Sequence, residues 1–182
     1  MPKFVALLRG INVGKAKRVP MADLRVLLGE LGYTGIATLL NSGNAVFRAT
    51  RGTSGKHAVD IAAAISARFK LEVRVIVKSV KELNAIVAEN PLPEKASDPS
   101  RLLVAFAQDA KALSGLRAIG QLVVYPEEFV VGRNAAYLQC VTGVVESKAG
   151  KTLLGKAGNS ATTRNWTTVL KLRALAREPD AE

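Results

Sequence analysis

The side chains best suited to chemistry lie in a few short segments. Arg9-Gly10-Ile11-Asn12-Val13-Gly14-Lys15 places an arginine, two glycines and a lysine directly after the apolar run Phe4 to Leu8. A strand, a glycine loop with a lysine, and a helix is the layout in which backbone amides cradle phosphate. A nucleotide-hydrolysing phosphate loop needs four residues between its glycines and Ser or Thr after the lysine. Here three residues separate the glycines and Ala16 follows Lys15. Gly150-Lys151-Thr152 has the right ending, but Val145 stands where the first glycine belongs. The loop therefore reads as an anion site and not as a hydrolytic one.

Other reaction classes fail on the residues they require. Nucleophilic triads need a histidine held against Ser or Cys, and the chain has one histidine, His57, in Gly55-Lys56-His57, a segment that reads as solvated surface. One histidine and one cysteine cannot supply three or four zinc ligands, so no metal or other cofactor is expected. Glu127-Glu128 is the adjacent acid pair, and neighbours on a strand point to opposite faces. Cys140 sits in Tyr137-Leu138-Gln139-Cys140-Val141, where a small, half-hydrophobic side chain suits a strand interior. As a lone cysteine it cannot form a disulfide within the chain.

Charge is the stronger signal. The 182 residues carry a net charge of +11, and 12 of the 26 cations fall in two stretches without acids. Residues 1–22 hold Lys3, Arg9, Lys15, Lys17 and Arg18, and residues 147–177 hold Lys148, Lys151, Lys156, Arg164, Lys171, Arg173 and Arg177. Clustered cations focus a field on a partner, whereas scattered ones serve solubility. The N-terminal apolar run is too short and too soon interrupted by Arg9 for a signal peptide or membrane helix, which makes a cytoplasmic protein with no membrane partner the expectation.

The elements that must hold these residues follow from periodicity. Phe4 to Leu8 reads as a strand, and Met21, Leu24, Leu27, Leu28 and Leu31 as a helix opened by Pro20 and stopped by Gly32. Ile36 to Leu40 and Ala45 to Phe47 read as a hairpin around Asn41-Ser42-Gly43-Asn44. Ile61, Ala62, Ile65 and Phe69 mark a helix, and Val73 to Lys78 a fourth strand. That order, β-α-β-β-α-β, is the ferredoxin-like arrangement. Single-stranded RNA readers of this architecture stack bases on central-strand aromatics, whereas Phe47 stands alone in its strand and reads as core. Ser79-Val80-Lys81-Glu82 is a capping box opening a further helix that ends at Asn90-Pro91.

Pro91, Pro93, Ser97, Asp98, Pro99 and Ser100 read as a linker over 91–100, between a subdomain at 1–90 and a second at 101–182. In the second, Leu102 to Phe106 reads as strand, Ala110 to Ile119 as helix, and Phe129 to Val131 with Tyr137 to Val141 as a hairpin. Ala161 to Arg177 reads as one helix with Thr162 or Thr163 as N-cap. On such a helix Arg164, Thr167, Thr168 and Lys171 form a polar stripe opposite Trp166, Val169, Leu172 and Leu175.

Arg9-Gly10-Ile11-Asn12-Val13-Gly14, Val19-Pro20-Met21, Asn41-Ser42-Gly43-Asn44 and Thr162-Thr163-Arg164-Asn165-Trp166 stand in an order and spacing that resemble the bacterial domain-of-unknown-function family 1697. The resemblance implies an α+β protein of two ferredoxin-like (α/β-plait) subdomains with antiparallel sheets and a helical C-terminal extension. It implies no established activity. Members commonly carry a second glycine after Gly14 and an asparagine before the Val-Pro-Met segment, where this chain has Lys15-Ala16-Lys17-Arg18.

The functional expectation is binding of an anion, a nucleic acid or a nucleotide-like ligand, by Arg9, Asn12, Asn41, Ser42, Asn44, Arg164, Asn165 and Lys171, with Lys15, Lys17 and Lys156 at the rim. Arg and Asn in these motifs donate hydrogen bonds to phosphate or carboxylate, and hardly a general base stands among them. The rival expectation is an enzyme acting on a small phosphorylated metabolite clamped by Arg9 and Arg164. A third takes the motifs as turn and helix-start residues of a structural protein without a ligand. The sequence is silent on oligomeric state.

Overall fold

The computed structural model of the protein describes residues 1–92 and 98–178. Of the expected linker, Pro93 and Ser97 lie outside the described residues, and Asp98 caps a short 3-10 turn at Pro99–Arg101 through Ser100 N, 2.9 Å away.

Among the described residues, eight strands form two four-stranded antiparallel sheets. The first contains β1 (Lys3–Leu8), β2 (Thr34–Leu39), β3 (Asn44–Arg48) and β4 (Val75–Ser79) in the order β2-β3-β1-β4. Between them run α1 (Met21–Glu30) and α2 (Ser54–Phe69). The second contains β5 (Leu102–Ala107), β6 (Glu128–Val131), β7 (Ala136–Gln139) and β8 (Ala161–Asn165) in the order β6-β7-β5-β8. Its helices are α4 (Ala110–Ser114), continued by a 3-10 segment at Gly115–Leu122, and α5 (Lys148–Leu154). Both sheets thus have the strand order of a split βαβ pair, and the chain holds the ferredoxin-like unit twice. α3 (Val80–Glu89) follows the first sheet and α6 (Trp166–Arg177) the second.

Each sheet buries one face under its own helices. Phe4, Ala6 and Leu8 of β1 meet Leu24, Leu27 and Leu28 of α1 and Ile61 and Ile65 of α2. In the second sheet Leu103, Ala105 and Leu138 meet Leu113, Leu116, Ile119 and Leu153. Side chains alternate along a strand, so the reverse faces carry Val5, Leu7, Val46 and Ile76 in one sheet and Val104, Phe106 and Tyr137 in the other, all buried. Strands apolar on both faces read as continuous hydrophobic runs, which is why Phe4 to Leu8 and Leu102 to Phe106 were legible.

The chain divides into two compact units, Met1–Leu83 with the residues from Leu172 on, and Asn84–Lys171. This division does not coincide with the 91–100 linker, and the physical reason lies in α3. Its last turn serves the second sheet, where Tyr137 Oη donates to Ile86 O at 2.6 Å and Glu89 accepts from Arg133 N at 2.6 Å and Asn134 N at 3.0 Å. The capping box opening α3 forms as expected, with Ser79 N donating to Glu82 Oε2 at 2.7 Å and Glu82 N to Ser79 Oγ at 3.2 Å.

Two expectations are overturned. Residues 161–165 are not a helical turn but β8, paired with β5 so that Arg164 faces Val104 and Thr163 faces Ala105. The helix starts at Trp166, and its cap is Asn165, whose Oδ1 accepts from Thr168 N at 2.9 Å. Arg164 and Thr168 are buried, so the polar stripe expected on one helix does not exist. His57 is not solvated surface: it lies inside α2, 3% exposed, on the stripe it shares with Ala58, Ile61 and Ile65.

Candidate functional site

The structure brings the two N-terminal motifs together at one end of the first sheet. The ladders on both sides of β1 continue into the loops, with Leu8 N donating to Gly43 O at 2.8 Å and Arg9 N to Arg74 O at 2.9 Å. Arg9 therefore stands beside Arg74, adjoining the Asn41–Asn44 turn. Arg9 is half-buried and its guanidinium is easier to deprotonate than usual, first because of burial and then because of the Arg74 charge. Opposite residues on neighbouring antiparallel strands share a face, so the two like charges are held on one side of the sheet.

The loop leaving Arg9 has an unusual backbone. Gly10, Asn12 and Gly14 have φ of 66°, 56° and 61°, and Lys17 has 47°. Positive φ at these four positions curls the loop tightly back on itself. Asn12 holds the loop in this form. Its Nδ2 donates to Val19 O at 2.9 Å and Asn41 O at 2.8 Å, its Oδ1 accepts from Val19 N at 2.9 Å, and its own N–H donates to Lys17 O at 3.0 Å. Lys17 Nζ donates to Glu72 O at 3.0 Å, and Lys15 and Arg18 are exposed on the loop.

The turn residues are likewise engaged in the fold. Asn44 is fully buried, and its Nδ2 donates to Leu39 O at 2.7 Å and Ser42 Oγ at 3.0 Å. Gly43 has φ 87°, and a Cβ there would lie 2.7 Å from Leu8 Cβ and 2.8 Å from Ile11 Cδ1. Asn41 and Ser42 are exposed. In this end of the first unit the asparagines and the glycine shape the loop, and the cations are what it presents.

The other expected site residues belong to the second unit. Arg164 is 8% exposed, its Nη1 donating to Thr162 Oγ1 at 2.9 Å and Thr163 O at 2.7 Å, and burial pulls its pKa down to about 10. Asn165 is the α6 cap already described. Lys156 is exposed in a 3-10 turn at Lys156–Gly158, and Lys171 is exposed on α6.

Sequence reasoning missed two groups. Arg74 read only as part of the fourth strand, because it is the pairing of β1 with β4 that sets it beside Arg9. The second group surrounds His57, whose Nδ1 is 2.9 Å from Tyr33 Oη amid Phe4 and Phe47. The spacing 57, 61, 65 is helical, so extending the α2 stripe back by one turn would have found it. Among the described residues no group of three or more His, Cys, Asp or Glu can hold a metal ion, and no helix is long and apolar enough to cross a membrane.

Comparison with solved structures shows the same fold in the conserved bacterial protein SP0830 from Streptococcus pneumoniae. The TM-score is 0.81 at 20% sequence identity, over 97% of this chain and 99% of that one. None of the curated proteins matches in sequence. A family profile described as protein of unknown function (DUF1697) matches residues 1–137. With its motif-bearing loop and turn inside that span, the chain belongs to the DUF1697 family.

Proposed function

We propose that the protein binds an anionic, phosphate-bearing ligand, a nucleic acid or a nucleotide-like molecule, at the basic end of its first sheet. The observation that carries the reading is Arg9 held beside Arg74 at the mouth of the left-handed loop. Two guanidinium groups held on one face offer several donors to one phosphate, which can bridge them through charge-assisted hydrogen bonds. Lys15, Lys17 and Arg18 extend the positive surface along the loop. Asn12, Asn41, Ser42 and Asn44 act in this reading as the frame. In the second unit Lys156 and Lys171 are exposed, whereas Arg164 and Asn165 serve the packing and capping of their own sheet and helix.

The test is a fluorescent-oligonucleotide titration across salt concentrations. A polynucleotide ligand gives a log–log slope of about −0.9 per duplex phosphate neutralised, and Arg9→Ala or Arg74→Ala reduces the magnitude of that slope by about one. A salt-independent affinity removes polynucleotides. Nucleotides are tested by thermal shift, where ligand at 100 times Kd stabilises by about 2.7 kcal/mol. A wild-type response to either class that survives both arginine substitutions unchanged refutes the proposed location.

A further inference from the structure

The first unit contains a polar cavity that none of the residues of the basic loop lines. It measures about 220 Å³ and is lined by Gly32, Tyr33, Arg51, Gly52, Lys56, His57 and Asp60, among others. That is below the about 300–1,000 Å³ of sites for drug-sized molecules, so its occupant is small.

His57 is the group that nothing in the fold uses completely. Its Nδ1 lies 2.9 Å from Tyr33 Oη, while Nε2 is buried without a hydrogen-bond partner among the described residues. If Nδ1 donated to the phenol oxygen, both the phenol proton and the Nε2 lone pair would be left over. If Tyr33 donates to Nδ1, both of those atoms are satisfied and only Nε2–H remains. The second arrangement leaves fewer buried polar groups unmade and sets the tautomer. Burial keeps the ring neutral by pulling its pKa down, against the opposing pull of Asp60, and pushes the Tyr33 phenol up to about 12, so the phenol keeps the proton it donates.

The surroundings favour negative charge. His57 lies in the first turn of the 16-residue α2, capped by Thr53, whose Oγ1 accepts from Lys56 N at 3.3 Å. The positive end of the helix dipole and the charge of Arg51 lie at the cavity. Asp60, the acid in the lining, is paired with Lys56 Nζ at 2.8 Å. Gly52 packs against the imidazole edge with no side chain of its own, and a Cβ there would stand 2.7 Å from His57 Cε1 and 3.0 Å from Nε2.

The structure assigns to this cavity a binding site for a small oxyanion, a phosphate ester or a carboxylate, whose oxygen accepts the His57 Nε2–H while Arg51 and the N-terminus of α2 balance its charge. It is independent of the basic loop around Arg9.

Because His57 is the only histidine in the chain, long-range proton–nitrogen spectra of the ¹⁵N-labelled full-length protein report on it alone. The protein is titrated with inorganic phosphate and with acetate at constant ionic strength, against chloride. The expected result is an Nε2-protonated neutral ring whose Nε2 resonance shifts saturably with phosphate or acetate and not with chloride. Arg51→Ala, at an exposed position, weakens the response about two- to fivefold, the range of a single exposed ion pair. Arg9→Ala leaves it unchanged, so failure here is distinguishable from failure of the loop site. Absence of a saturable shift with both anions, an equal shift with chloride, or a ring protonated at Nδ1 overturns the assignment.

Discussion

Glu89 ties the end of α3 to the β6–β7 hairpin, and its replacement by Gln is a sharp test of that joint. Two backbone donors converge on its oxygens, Arg133 N on Oε1 at 2.6 Å and Asn134 N on Oε2 at 3.0 Å, and the Tyr137 hydroxyl, which shares its one proton with Ile86 O, lies 3.1 Å from Oε2. Burial alone would raise the carboxyl pKa, but the hydrogen bonds from Arg133, Asn134 and Tyr137 outweigh it and hold the group below its ordinary value. Glutamine keeps the shape but turns one oxygen into a donor facing donors. The best orientation keeps oxygen toward Asn134 and Tyr137 and sets the amide nitrogen against Arg133 N. Bonds to a charged acceptor contribute about 1.5–3 kcal/mol and neutral ones about 1, while the exposed Arg133 amide can take water, so Glu89→Gln costs about 2 kcal/mol at pH 7. The sole tryptophan, Trp166, is 7% exposed in the same unit, and its fluorescence in urea gives the midpoint. With the folded pKa depressed, the unfolded chain binds the proton more readily. The contribution is complete above the unfolded carboxyl range and is lost as pH falls through the folded value. The gap between wild type and Glu89→Gln therefore closes toward pH 3. A gap that stays constant from pH 7 to pH 3, or one below about 0.5 kcal/mol at pH 7, would refute the reasoning.

Asn12→Ala removes three side-chain hydrogen bonds and leaves a left-handed φ on alanine, a loss of about 3 kcal/mol that should appear in urea melts together with faster amide exchange over residues 10–19. Gly43→Ala combines a positive φ with a Cβ at 2.7 Å from Leu8, and should destabilise by about 2–4 kcal/mol. A thermal melt of Gly43→Ala matching wild type would show that the turn relaxes instead.

The sequence by itself determined whatever depends on neighbours along the chain. The capping box at Ser79 and Glu82, the glycine stop at Gly32 and the two doubly buried central strands are written in spacings of a few residues, since caps and periodicity are local physics. The first ferredoxin-like unit was legible for that reason. The second was only half so, because Ala161-Thr162-Thr163-Arg164-Asn165 is polar enough to pass for a helix start and becomes a strand only by pairing with β5, more than fifty residues earlier. The candidate site divides the same way. That Arg9, Asn12 and Asn44 matter could be read from residue type, but whether each presents charge or holds the backbone depended on partners distant in sequence. Arg74 reaches Arg9 through strand register, Asn12 staples the loop to Asn41, and His57 faces Tyr33 from the buried side of α2. Tertiary structure decided those roles because burial and register arise from long-range pairing, which residue spacing does not encode.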